Sequence, residues 1–262
     1  FVRSSHCERL ILSSSLRMRG AITRFETVSE GRVVISGKFW STSEEKLPTL
    51  GQMPLVVFVH QYSKMGGCSQ LMEGMAALTV DRGFPALTFD MRGVNRSSGW
   101  STVTGMSEVA DVVAACEWAA KHLNATNILL VGSSAGAPIA GTAVERLPMV
   151  RGYVGIGYTF GWFASILFGG HYEPILRVDR PKLFIMGTAD GFTSVRTFDK
   201  YFDRCVGPKE KYLINNIGHF ELETPNYDNI IVDRMLDFLK RHLLPDAAQD
   251  GRTATRGVYV SA

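Results

Sequence analysis

Apolar residues along this chain fall into two alternating patterns: short unbroken runs, and longer stretches in which they recur every three or four positions. An unbroken run of four to eight suits a strand buried on both faces, and helical spacing suits an amphipathic helix. The alternation therefore predicts a parallel sheet covered by helices. The strand runs are residues 55–60, 86–89, 127–131, 152–156, 181–187 and 210–215. Helices are predicted over 69–82, stopped by Gly83, and over 107–122, with Val109, Val112, Val113, Cys116, Ala119 and Ala120 on one face. Three more run over 135–146, from a cap at Thr193 or Ser194 through 205, and from Thr224 and Pro225 to 243. Ahead of them, 25–28 and 33–40 flank Glu30 and Gly31 as an antiparallel hairpin. The fold class is α/β: a mostly parallel central sheet with an antiparallel N-terminal hairpin and helices on both faces.

One strand-to-helix junction carries chemistry. The run ending at Val131 continues as Gly132-Ser133-Ser134-Ala135-Gly136 and then becomes helical, with Pro138 in the first turn. Glycines on either side of Ser134 let a sharp corner form without side-chain collisions, so the hydroxyl stands clear of the sheet. The helix start aims free N–H groups and the positive end of its dipole at the same spot. A serine there needs a base, and the base an orienting acid, because an alcohol is a poor nucleophile at neutral pH. Asp190 follows the run 181–187, and His219 follows the run 210–215. Both fall in loops at carboxyl ends of strands, where open parallel sheets gather their ligand-binding groups. Asp179, Asp199 and Asp203 are fallback acids, none of them directly after a strand.

The order Ser134, Asp190, His219 resembles that of the α/β-hydrolase superfamily. The likeness extends to 55–60 followed by Gln61 and Tyr62, similar to the family's strand and oxyanion loop, and to Asp90-Met91-Arg92-Gly93, similar to its Asp-x-Arg-Gly segment. It covers roughly residues 33–244. The resemblance implies oxyanion donors at the backbone N–H groups of Tyr62 and Ala135. Gln61 departs from the glycine usual at its position, so its side chain either crowds the carbonyl or adds a donor. The segment 157–180, where many members insert a lid, is short and rich in aromatic residues. This minimal cap resembles the compact, lidless branch that includes dienelactone-hydrolase-like and small esterase-like proteins. Gln61, Tyr158, Phe160, Trp162, Phe163 and His171 are candidate substrate-pocket residues; the alternative is that the aromatic segment only packs a helix onto the sheet.

The resemblance implies a serine hydrolase acting on carboxylic esters or thioesters of small to medium acyl size. Two alternatives use the same residues: a ligand receptor or scaffold with little or no catalysis, and an acyltransferase or peptidase. The other histidines read differently. His60 closes a strand and packs on backbone, and His122 and His242 lie near helix ends. Asp90 and Arg92 read as a structural ion pair or turn anchor.

Composition narrows the partners. The chain has 262 residues, 45% hydrophobic and 20% charged, enough for one substantial core. Its net charge of +3 comes from the start, where Arg3, Arg9, Arg17, Arg19 and Arg24 face Glu8 alone. The body is near neutral, so the partner expected is a small-molecule acyl substrate and not a nucleic acid. No cofactor or metal is implied: Cys7, Cys68, Cys116 and Cys205 lack ligand spacing and read as reduced thiols of an intracellular, cytoplasmic protein. No run is long and apolar enough for stable membrane insertion, and the composition sets no oligomeric state. Residues 1–20 read as an extension, either an organelle transit segment or an edge segment. Residues 21–245 are the hydrolase domain and 246–262 a mobile tail.

Overall fold

The computed structural model describes residues 20–244 and 257–260. Strands β1 (Ile22–Ser29) and β2 (Val33–Trp40) form the expected hairpin, turned by Gly31 at φ 77° and Arg32 at φ 59°. They are followed by β3 (Leu55–Val59), α1 (Glu73–Asp81), β4 (Ala86–Phe89), α2 (Glu108–Leu123), β5 (Ile128–Ser133), α3 (Gly136–Ala143) and β6 (Val150–Ile156). Next come α4 (Trp162–Phe168), α5 (Tyr172–Arg177), β7 (Lys182–Gly187), α6 (Val195–Arg204), β8 (Lys209–Ile214), α7 (His219–Leu222), α8 (Asp228–Leu243) and β9 (Gly257–Val260). The sheet order among the described residues is β1-β2-β4-β3-β5-β6-β7-β8-β9. β1, β2 and β4 pair antiparallel, and every pairing from β4 to β9 is parallel.

Residue alternation along β3 shows why the sheet is covered twice. Leu55, Val57 and Val59 face one hydrophobic cluster, closed by residues of α2, α3, α5 and α6. Val56 and Phe58 face a second, closed by residues of α1 and α8. A strand with period-2 side chains that are all apolar needs a helix layer on each face.

Helix ends differ from the expected ones by a turn. The 69–82 helix begins with a 3₁₀ turn, Ser69–Met72, and the last helix with another, Pro225–Tyr227. Ser194 caps α6 by accepting from the Thr197 N–H. The segment 157–180 forms two short helices, and α5 packs on α3, where the absent side chain of Gly141 leaves room for Ile175. Among the described residues there is no lid insertion.

In the tail, Gly257–Val260 pairs in parallel with β8, an edge strand that the expected mobile tail did not include. Its alternating Val, Tyr and Val are residues that suit a strand. The N-terminal extension lies outside the described residues, apart from Gly20. No described helix is long and apolar enough to cross a membrane.

Candidate active site

β5 delivers Ser134 to the sheet's carboxyl edge in a left-handed conformation, φ 53°. For a non-glycine residue that costs about 1–2 kcal/mol. Its N–H donates to the Ile156 carbonyl at 2.8 Å, and its own carbonyl accepts from Ala137 N–H at 3.0 Å. The flanking glycines are required by contact. A Cβ on Gly132 would lie 2.5 Å from the Gly136 carbonyl oxygen, and one on Gly136 would lie 2.2 Å from the His60 carbonyl oxygen.

The next two loops bring the partners in. Gly187, at the end of β7, lacks the Cβ that would lie 2.1 Å from the Ile217 carbonyl oxygen. Ala189 N–H donates to that same carbonyl at 3.0 Å, so the acid-bearing and histidine-bearing loops are hydrogen-bonded together. Asp190 Oδ1 accepts from the backbone N–H groups of Phe192 and Thr193 at 2.8 and 2.9 Å, which leaves Oδ2 for the His219 Nδ1–H at 2.6 Å. With that proton on Nδ1, Nε2 is the acceptor, and it receives the Ser134 hydroxyl at 2.7 Å. Gly157, at φ +55°, makes room for the imidazole: a Cβ there would sit 3.2 Å from His219 Cε1. Phe192 meets the ring edge-on at 4.6 Å. This is the hydrogen-bonded chain of a serine-hydrolase triad. The fallback acids are elsewhere: Asp199, for instance, pairs with Lys211 at 2.6 Å.

The close contact of Gly136 with the His60 carbonyl sets the loop after β3, which runs on to Tyr62, beside the start of α3, which Ala135 precedes. Neither the Tyr62 N–H nor the Ala135 N–H donates a hydrogen bond among the described residues. His60 fixes the loop from behind. Its Nε2 accepts from Met91 N–H at 3.1 Å and its Nδ1–H donates to the Gln61 carbonyl at 2.7 Å, while burial lowers its pKa and keeps it neutral. Gln61 is buried, and its Oε1 has no hydrogen-bond partner.

Several pocket candidates turn out to be core. Tyr158 and Phe160 stack on each other at 3.9 Å, Phe160 stacks on Tyr201 at 4.6 Å, and both sit inside the larger hydrophobic cluster. The Thr193 hydroxyl donates to the Tyr158 carbonyl and accepts from the Phe160 N–H, each at 2.9 Å, which turns these rings inward beneath the Asp190 loop. His171 is also internal: Nε2–H donates to the Thr104 carbonyl at 2.7 Å and Nδ1 accepts from Thr142 at 2.8 Å. Trp162, by contrast, is 74% exposed, and Phe220, next to His219, is 60% exposed. For Phe163 only the backbone is described, in α4.

Asp90 and Arg92 do not pair with each other. Arg92 forks onto Asp111 of α2, with Nε and Nη2 at 3.0 and 2.7 Å, because that fully buried carboxylate needs a cation. Asp90 is a turn anchor, accepting from Ser69 N–H at 2.8 Å and from Asn95 at 3.1 Å. One neighbour of the triad was missed altogether. Glu223 Oε1 lies 3.8 Å from His219 Nε2. The signal was the i,i+4 spacing from His219, legible only if a helix starts at His219, and the sequence pattern starts one at Thr224 instead.

Comparison with known proteins agrees with this geometry. A profile described as the alpha/beta hydrolase fold matches residues 54–167. An uncharacterized protein of Rickettsia prowazekii is 30% identical over 222 residues, covering 79% of this chain and 85% of that one. The Pyrococcus furiosus esterase Pf2001 superposes with a TM-score of 0.72 at 20% identity, covering 86% of this chain and 92% of its own. XC6422 of Xanthomonas campestris, a serine hydrolase without a lid, superposes with a TM-score of 0.66 at 18% identity, covering 84% and 94%. The chain has the α/β-hydrolase fold, and its triad geometry is that of a serine hydrolase. Among the described residues no group of His, Cys, Asp and Glu is arranged to hold a metal ion.

Proposed function

We propose that the protein hydrolyses carboxylic esters or thioesters of small to medium acyl size through an acyl-enzyme on Ser134. The observation that carries this reading is the continuous chain Ser134–His219–Asp190, with contacts of 2.7 and 2.6 Å. Ser134 Oγ attacks the acyl carbon while its proton passes to His219 Nε2. Asp190, on Nδ1, holds the tautomer and stabilises the imidazolium. The carbonyl oxygen, now anionic, takes hydrogen bonds from the N–H groups of Tyr62 and Ala135, a contribution of several kcal/mol in enzymes of this kind. The imidazolium then protonates the leaving alcohol or thiol. Water, deprotonated by the same imidazole, releases the acid and regenerates Ser134.

The size limit rests on the short 157–180 segment, and the lidless Xanthomonas hydrolase and the Pyrococcus esterase share the fold on which it is read. With Tyr158, Phe160 and His171 turned inward, the exposed rings that would meet an acyl group are Phe220, beside His219, and Trp162, which follows the Gly161 that abuts Phe192 of the Asp190 loop. A fluorophosphonate probe tests the nucleophile: wild type should label stoichiometrically and Ser134→Ala not at all. Asp190→Asn should fold and turn over several orders of magnitude more slowly. Equal labelling of Ser134→Ala would refute the mechanism.

A further inference from the structure

Glu223 has an unusual position for a carboxylate. Its Oε1 is buried with no hydrogen-bond partner, 3.8 Å from the imidazole nitrogen that faces Ser134, and the side chain is only 17% exposed. A desolvated carboxylate oxygen is costly unless a donor or a cation answers it. The groups facing it are few: His219 one turn earlier on α7, the hydroxyls of Ser134 and Ser133 at the end of β5, and Asp190 from the loop after β7. No Lys or Arg is among them. Burial pushes the Glu223 carboxyl above its ordinary range, while the His219 ring and the two serines pull the other way.

A carboxylate so placed has one potential cationic partner, and that cation exists only when His219 carries both protons. From this juxtaposition we propose that Glu223 is a positioning residue for the triad, a second carboxylate that acts through His219 by stabilising its protonated form from the Nε2 side. Asp190 holds the ring from Nδ1, and Glu223 supplies negative charge at the edge where the proton arrives. Two consequences follow from Coulomb attraction at this distance in a water-poor site. The imidazolium formed during serine attack is stabilised. The same attraction acts on the resting enzyme, so removing the Glu223 charge should displace the acid limb of the pH–rate profile to lower pH.

This inference rests on Ser134 being the nucleophile, so the test uses the fluorophosphonate probe alone and needs no natural substrate. The second-order labelling rate of wild type and Glu223→Gln is measured from acid to neutral pH, with thermal melts to confirm folding. The isosteric amide should move the acid limb of the profile down by at least about half a pH unit, consistent with removal of one nearby charge. The plateau rate should fall several-fold. A limb that moves less, or moves upward, overturns the proposal, even with a lower plateau, because a purely structural defect lowers the rate at every pH without displacing the limb. If Glu223→Gln does not fold, the profile is read on Glu223→Asp, whose retracted carboxylate should move the limb in the same direction by less; an unmoved limb there overturns it equally. Absence of labelling in wild type would instead refute the nucleophile.

Discussion

At the scale of single residues, the site is held by atoms that are missing as much as by those present. Gly136 lets the carbonyl of His60 approach closely enough that any Cβ would lie 2.2 Å from it, with the Val59 carbonyl oxygen at 2.7 Å. Both obstacles are backbone, which cannot rotate away. Gly136→Ala must therefore push the loop after β3 off the start of α3, and with it Tyr62 away from Ala135. If Tyr62 and Ala135 are the oxyanion donors, as proposed, the expected outcome is a loss of about 10²–10³-fold in kcat, the effect of losing one such donor, against a destabilisation of about 1–3 kcal/mol from overpacking. Esterase turnover and a urea melt on the same variant check both. A variant that loses stability but keeps kcat would place the oxyanion donors elsewhere.

At the scale of elements, α8 is tied to the sheet by charge as well as by its apolar face. Glu210 on β8 accepts from Arg241 Nη2 at 2.8 Å and from His242 Nε2 at 2.8 Å. Burial pushes the Glu210 carboxyl up, but the His242 and Arg241 hydrogen bonds outweigh it and hold the carboxyl at about 2, below its ordinary 4.5. A depressed folded-state value means the stabilisation is fully present above about pH 4.5 and is lost as pH falls toward 2. Because Arg241 is half exposed, solvent screening reduces the effect to about 1–2 kcal/mol. Glu210→Gln should lower Tm by on the order of 5 °C at pH 7, and its stability should fall less steeply than wild type between pH 5 and 2, as followed by circular dichroism. Parallel pH curves for the two proteins would show that the clamp contributes nothing.

At the scale of the whole molecule, helix layers cover both faces of the sheet, and the described residues contain no lid insertion. In the proposed function the exposed rings of Trp162 and Phe220 serve as a short apolar wall for the acyl group. Each methylene that meets such a wall changes specificity by about 1–3 kcal/mol until the wall ends. In a p-nitrophenyl ester series, kcat/KM should peak between acetyl and hexanoyl, and Trp162→Ala should shift the peak. Long-chain emulsions should show no jump at the critical micelle concentration. Highest activity on such emulsions would contradict the lidless reading.

The sequence by itself determined the strands up to β8, the mostly parallel character of the sheet and the Ser134, Asp190, His219 series, because each rests on local pattern: an unbroken apolar run, and a reactive residue just past its end. Triad geometry follows almost automatically, since parallel strands deliver their carboxyl-end loops to one edge. Tertiary structure alone decided which aromatic residues face inward. Tyr158 and Phe160 carry the same apolar signal as Trp162, and only Thr193, thirty-odd residues away in sequence, turns the first two into the core. The partner of Arg92 was likewise a tertiary matter, because the buried charge it answers lies on another element. Glu223 depended on where a one-turn helix begins, a choice made by the loop packing around His219 and not by hydrophobic periodicity, which four residues are too few to express.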